Sequence, residues 1–211
     1  MVTPPDTLGA DDLPLLGEPL PIELANSLCV SNGTSTDFLA TARLVRLWSA
    51  HVQSEPPILP PRSLDEHDVS AVRDLRDAVR ELLNALANSR RAPTRAIHKI
   101  NHYAAAAATR VELTQNHAGN ICVKTRYSAP SGIDALLGRL AIETIVLAAG
   151  LLPTQLRRCE GPGCAMLFVR IHHRRQWCHP SCGHRARQAS YYRRKLSANH
   201  PSAADHEHSA S

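Results

Sequence analysis

The chain has 211 residues and is 43% hydrophobic, enough for one medium domain and a small appended module. Phe, Trp and Tyr occupy only eight positions, so the core must be aliphatic, and no run of 18 or more apolar residues is present, so no transmembrane helix is expected. The formal charge of +5 is unevenly spread: residues 157–195 hold ten Arg and Lys against one acid, Glu160, leaving 14 basic and 18 acidic residues elsewhere. A basic module attached to a slightly acidic domain points to a polyanionic partner.

Residues 1–20 are Pro-rich and acidic, and they lack the basic start and apolar run of a signal peptide. They read as a flexible tail, and the expected location is the cytoplasm. Residues 22–30 are mostly apolar and too short to decide between strand and helix. An amphipathic helix is expected to start near Asp37, with Phe38, Ala42, Val45, Trp48 and Val52 on one face, and the prolines of 55–62 end it. Ser63 and Glu66 then fit a capping box. Behind it Val69, Val72, Leu75, Val79, Leu82 and Leu86 recur every three to four residues, the clearest helix in the chain. Pro93 suits the first turn of a third helix with Ile97, Ile100 and Ala104 inward.

Over 110–126 the period changes to two. Val111 and Leu113, then Ile121 and Val123, alternate with polar residues around a loop containing Gly119, which predicts a β-hairpin. Ser131 can cap a last large helix carrying Ile133, Leu136, Leu137, Leu140, Thr144, Leu147 and Ala148. Gly150 and Pro153 then match a glycine C-cap and a proline stop. A boundary between domain and module is expected at about 151–157.

Six cysteines need an explanation, because cytosolic thiols stay reduced and clustered ones point to metal or redox chemistry. Cys29 and Cys122 stand alone and read as small buried hydrophobes. The other four form two pairs, Cys159/Cys164 around Gly-Pro-Gly and Cys178/Cys182, with thirteen residues between the pairs. Two close thiol pairs supply the four soft ligands of one structural zinc ion; two disulfides or free thiols are the plainer alternative. A module of about 40 residues with few large apolar side chains also needs a metal or disulfides to fold. A closed four-cysteine shell leaves His172, His173, His179 and His184 as bystanders and provides no site for a catalytic water. A short hairpin is expected within 165–177 and a helix from about 181.

On that helix Ala189, Tyr192 and Leu196 are expected to pack on the finger, while Arg187, Tyr191 and Arg194 share another side. Arg174, Arg175, Arg185, Arg187, Arg193, Arg194 and Lys195 are the candidate nucleic-acid contacts. A solvated basic face is the bland reading for any one arginine, but not for this density. Few aromatics are available for base stacking, which favours duplex DNA over single strands.

At these residues the chain resembles the CGNR zinc-finger family. The resemblance runs from Arg157 to about Lys195. It rests on Arg157-Arg158-Cys159, Cys164 with Leu167-Phe168, the Arg174-Arg175 and Trp177-Cys178 block, and Cys182-Gly183-His184-Arg185. His184 stands where the family has Asn, and Arg170 where it tends to have an acid. Upstream, Leu24-Ala25-Asn26-Ser27 and a helix with Trp48 resemble the ABATE domain that usually precedes this finger. The resemblance implies a bacterial stress-induced transcription regulator.

The expected fold is therefore α+β. A mainly helical N-terminal domain (21–152) with one β-hairpin precedes a small treble-clef-like zinc finger (157–196), and residues 197–211 form a disordered tail. The expected function is zinc-dependent docking of duplex DNA by the finger, with the N-terminal domain sensing or assembling and leaving room for a small-molecule effector. An RNA-binding or protein-interaction adaptor using the same basic finger is the alternative. No nucleophile–base set, phosphate loop or carboxylate pair has usable spacing. Asn26, His98, His102 and Glu143 could converge in a pocket, but a lone helical His or Glu usually belongs to the surface or the core, so no enzyme is expected.

Overall fold

A computed structural model describes residues 7–31, 33–55, 57–58, 61–105, 109–115, 119–127, 132–150 and 155–199. Residues 22–30 resolve into both candidate structures. Helix α1 spans Leu20–Asn26 with Pro21 in its first turn, where a missing N–H costs nothing. All seven of its residues are buried. Strand β1 (Leu28–Ser31) follows and pairs antiparallel with β2 (Thr34–Asp37), so a second hairpin joins the expected one. Gly33 supplies the positive φ of 80° in the turn between them.

Helix α2 (Ala42–His51) starts later than the sequence suggests, because Asp37 and Phe38 are held by the hairpin. The Phe38 N–H donates to Ser27 O, and Thr41 caps α2 by accepting from Leu44 N at 3.2 Å. Helix α3 (Glu66–Ala87) is capped by Asp65 and Asp68, not by the Ser63/Glu66 box. Asp68 N donates to Asp65 Oδ1 at 2.8 Å and Asp65 N to Asp68 Oδ2 at 3.1 Å. Its buried stripe includes Val69, Val72, Leu75, Val79 and Leu82, as the periodicity requires.

The stripe also buries Arg76, which pairs with Asp37 at 2.5 Å and Asp77 at 2.9 Å, tying the first hairpin to α3. Helix α4 (Thr94–Ala105) buries Ala96 and Ile100, but Ile97 points outward at 39% exposure. Pro93 sits just before the helix, its carbonyl accepting from Ala96 and Ile97.

Strands β3 (Thr109–Gln115) and β4 (Ile121–Tyr127) form the expected hairpin, with Leu113 opposite Val123. Helix α5 (Ile133–Ala149) buries Leu136, Leu137, Leu140, Ala141, Thr144 and Leu147. The predicted cap Ser131 lies outside the described residues. Gly150 ends α5 in extended conformation, so it stops the helix without the left-handed turn usual for a C-cap glycine.

Strands β5 (Leu156–Arg158) and β6 (Leu167–Val169) pair antiparallel, and α6 (Pro180–Asn199) closes the chain. The hairpin of the finger therefore flanks the first cysteine pair and is not found in 165–177. Helix α6 runs three residues past the expected end at 196.

Helix α1 lies between α3, α5 and β6, and β5 packs on α3. Leu156, Leu167 and Val169 consequently belong to the same apolar core as α1, α3 and α5. Residues 7–19, expected as part of a free tail, are packed: Leu8 and Leu13 are buried in that core, and Ala10–Asp12 form a 3₁₀ turn. Among the described residues no helix is long and apolar enough to cross a membrane.

Candidate metal centre and the basic helix

The first cysteine pair sits on the turn that links β5 to β6. Cys159 N donates to Met166 O at 2.8 Å, closing the strand pair above the turn. Cys164 N donates to Gly161 O at 3.0 Å, and Gly163 takes a φ of 69°, so the chain doubles back within five residues. A Cβ on Gly161 would lie 2.7 Å from Cys182 Cβ and 3.4 Å from Cys159 Sγ, so only glycine lets the knuckle pass this close to α6.

The second pair brackets the start of α6. Cys178 lies just before the helix, and Cys182 N donates to His179 O at 3.0 Å in the first turn. The helix N-terminus favours thiolates there. Gly183 is needed beneath Trp177: a Cβ would meet the indole ring at 3.0–3.3 Å.

These elements bring the four sulfurs of Cys159, Cys164, Cys178 and Cys182 within 4.8 Å of one another. Cys164 Sγ is 3.7 Å from Cys178 Sγ, which is 3.6 Å from Cys182 Sγ. A tetrahedral zinc with Zn–S bonds of about 2.3 Å requires sulfur separations of about 3.8 Å. The donor set therefore fits one structural zinc ion. All four thiols are free of disulfides.

The protons are shared unevenly. Bonds from Cys164 and Cys178 hold the Cys159 thiol far below its ordinary range. The bond to Cys159 pushes Cys164 up to about 11 and Cys178 higher still. Four thiolates this close need a cation between them, which zinc supplies. Histidines take no part: His172, His173 and His184 are exposed, and His179 Nδ1 engages Ser181.

A second layer surrounds the sulfurs. Gly161 N and Cys178 N each lie 3.4 Å from Cys159 Sγ. Arg185, one turn beyond Cys182, places Nη2 3.1 Å from the Cys182 sulfur. One Zn²⁺ with four thiolates carries two net negative charges, and Arg185 offsets part of that. Arg175 stacks its guanidinium 4.7 Å from the Phe168 ring centroid. It also donates to Val169 O at 3.0 Å, Cys178 O at 3.1 Å and Trp177 O at 3.4 Å, and pairs with Glu18 at 2.7 Å. Two expected nucleic-acid contacts, Arg175 and Arg185, are thus spent inside the finger: desolvated acceptors and a sulfur cluster compete for them.

Arg174, Arg187, Arg193, Arg194 and Lys195 are exposed. Tyr192 and Leu196 are 63% exposed, so the stripe expected to pack on the finger runs past its edge.

Two family models match this architecture. ABATE, described as a putative stress-induced transcription regulator, matches residues 18–151, and the CGNR zinc finger matches residues 155–195. The chain belongs to the ABATE family. No curated protein matches it closely enough to add a relative.

The ABATE part holds its CGNR finger through three polar residues of the buried segment 18–26. Asn26 Nδ2 donates to Leu167 O at 2.9 Å, and Leu167 N donates back to Asn26 Oδ1 at 2.9 Å. One side chain thereby completes the free edge of β6 like an added strand residue. Glu18 Oε2 accepts from Val169 N at 2.8 Å, while its Oε1 takes Arg175. Glu23 positions Glu18: its Oε1 accepts from Leu16 N and Glu18 N at 2.8 and 2.7 Å.

Burial pushes the Glu23 carboxyl up to about 7, against the lowering effect of those N–H groups. Cys29 is half-buried where the two apolar clusters meet, and burial raises its thiol. The side chain of Cys122 lies outside the described residues.

None of these docking contacts is local in sequence, and only the Asn26 position carried a signal, through the family resemblance. The other polar residues considered for a pocket do not join it. Glu143 pairs with Arg139 at 2.9 Å, and His98 and His102 sit on the surface of α4.

Proposed function

We propose that this ABATE protein is a zinc-dependent transcription regulator that binds duplex DNA through its CGNR finger, in the cytoplasm at the nucleoid. Helix α6 carries the reading. It presents Arg187, Arg193, Arg194 and Lys195 on its surface, contains no acid, and is exposed throughout residues 191–196. A protruding helix with one sign of charge is a poor core element and a good phosphate ligand. The metal holds the start of that helix and does no chemistry, since four thiolates leave no coordination position for a substrate.

The upstream domain is assigned sensing or assembly. A cleft of about 470 Å³ between α3, α4 and α5, lined by Asp68, Asp74, His102, Tyr103 and Asp134 among others, is where a small effector would sit. The experiment is a salt titration of a mixed-sequence duplex. With the five exposed basic side chains Arg174, Arg187, Arg193, Arg194 and Lys195 each meeting a phosphate, log affinity falls against log salt with a slope of about −4 to −5. No binding at low salt sinks the reading.

Tyr191 and Tyr192, 57% and 63% exposed, favour the second reading of a single-stranded RNA adaptor, since exposed rings stack on bases. Competition of bound duplex by a single-stranded oligonucleotide separates the two.

A further inference from the structure

Helix α6 has two opposed sides. Cys182, Arg185, Ala186 and Ala189 are buried or half-buried and face the finger. His184, Arg187, Tyr191 and Arg194, spaced three, four and three residues apart, form one stripe on the opposite side, and all four are exposed. Lys195, four residues past Tyr191, falls at the edge of that stripe, whereas Arg193, four past Ala189 and seven past Ala186, falls on the finger-facing side; both are exposed. Residues 191–196 of the helix are all exposed, about 9 Å of its axis.

We infer that α6 enters the major groove of duplex DNA, with His184, Arg187, Tyr191 and Arg194 facing base edges and Lys195, at the edge of the stripe, reaching a phosphate wall. The inference rests on the DNA reading of the same helix and names its contact mode.

The geometry argues for this groove. A helix with its exposed cations along one stripe is matched by a groove bordered by phosphates and open between them. The B-form major groove, about 12 Å wide and 8.5 Å deep, admits an α-helix of about 10–12 Å diameter, whereas the minor groove, about 6 Å wide, does not. The A-form RNA major groove is too narrow and deep for side chains to read. Arg187 and Arg194 can each fork onto guanine O6 and N7. His184 occupies the first position of the stripe, one turn into the helix. His184, one of the two positions at which this chain departs from the family pattern, is thereby assigned to reading sequence and not to zinc.

The test uses the full-length zinc-loaded chain and a random 20-base-pair duplex library, with zinc content measured for every variant. Methylation interference on the enriched pool should locate guanine N7 contacts that weaken binding about tenfold. Arg187→Ala, Arg194→Ala and His184→Asn should change the enriched sequence at one or two positions. Lys195→Ala should leave the sequence unchanged, lower affinity equally for all duplexes, and reduce the salt slope by about one.

Interference at adenine N3 alone, an enriched sequence indifferent to all three stripe variants, or equal binding of an A-form RNA duplex overturns the groove assignment while leaving nucleic-acid binding in place. Failure to enrich or bind any duplex overturns the DNA reading and this inference together.

Discussion

Asn26→Ala tests whether the finger and the helical domain are one folding unit. The substitution removes both 2.9 Å bonds to Leu167 and leaves a buried N–H and a buried C=O on β6 without partners. Each such group costs about 1–3 kcal/mol, so the pair costs about 2–4 kcal/mol once some water enters the gap. That is a large share of the about 5–15 kcal/mol typical of a folded domain. With a urea slope of about 2 kcal/mol per molar, the midpoint should fall by about 1–2 M.

The assay follows far-UV circular dichroism and zinc release to a chromophoric chelator in the same titration of the zinc-loaded chain. Both signals should move together, because Leu156, Leu167 and Val169 share a core with α1, α3 and α5. Asn26→Asp should be at least as damaging, since it keeps an acceptor for Leu167 N but sets a negative oxygen against Leu167 O. A loss below about 0.5 kcal/mol, or zinc release well before the helices unfold, would refute the shared unit.

Three further outcomes follow from the site. Glu23 binds its proton more tightly folded, at about 7 against 4.5 unfolded, so its own contribution to stability is full below about pH 4.5 and is lost as pH rises through 7, by about 3 kcal/mol in all. Glu23→Gln keeps the acceptor oxygen and should flatten that slope in denaturation curves at pH 5 and pH 8; an unchanged slope would exclude Glu23 as its source. Arg185→Gln should weaken zinc about tenfold to a hundredfold in chelator competition, with Arg185→Lys in between; equal affinity for all three would mean that the contact to Cys182 Sγ contributes nothing. Gly161→Ala forces a Cβ into Cys182 and should cost about 1–3 kcal/mol, read as a lower melting temperature at unchanged zinc stoichiometry, whereas a wild-type melting curve would show that the knuckle can shift freely.

The sequence disclosed what repeats and what clusters. The stripe of α3, the apolar run of α5, the alternation in β3 and β4 and the two thiol pairs are local patterns, and all were legible. The β1–β2 hairpin had a local signal too, the Asn32-Gly33 dipeptide, which is a strong turn former. The α2 boundary went astray because Asp37 and Thr41 are both good caps, and the hairpin claims the first.

What one sequence hides is competition at a distance. Arg175 and Arg185 look like phosphate ligands until Glu18, three carbonyls and a sulfur occupy them. Tyr192 and Leu196 keep the helical spacing of a buried stripe, but whether a partner surface extends that far depends on the size of the finger and not on the spacing.

The Asn26 and Glu18 contacts also bear on how such a finger can be inherited. Its second strand offers Leu167 N, Leu167 O and Val169 N to side chains some 140–150 positions earlier in the chain. A copy of 155–199 moved behind an unrelated domain would carry its metal ligands with it but leave those three groups to water, and would expose Leu156, Leu167 and Val169. Recombination should therefore move the two parts as one cassette, and a lineage that frees the finger must first replace these residues at its edge.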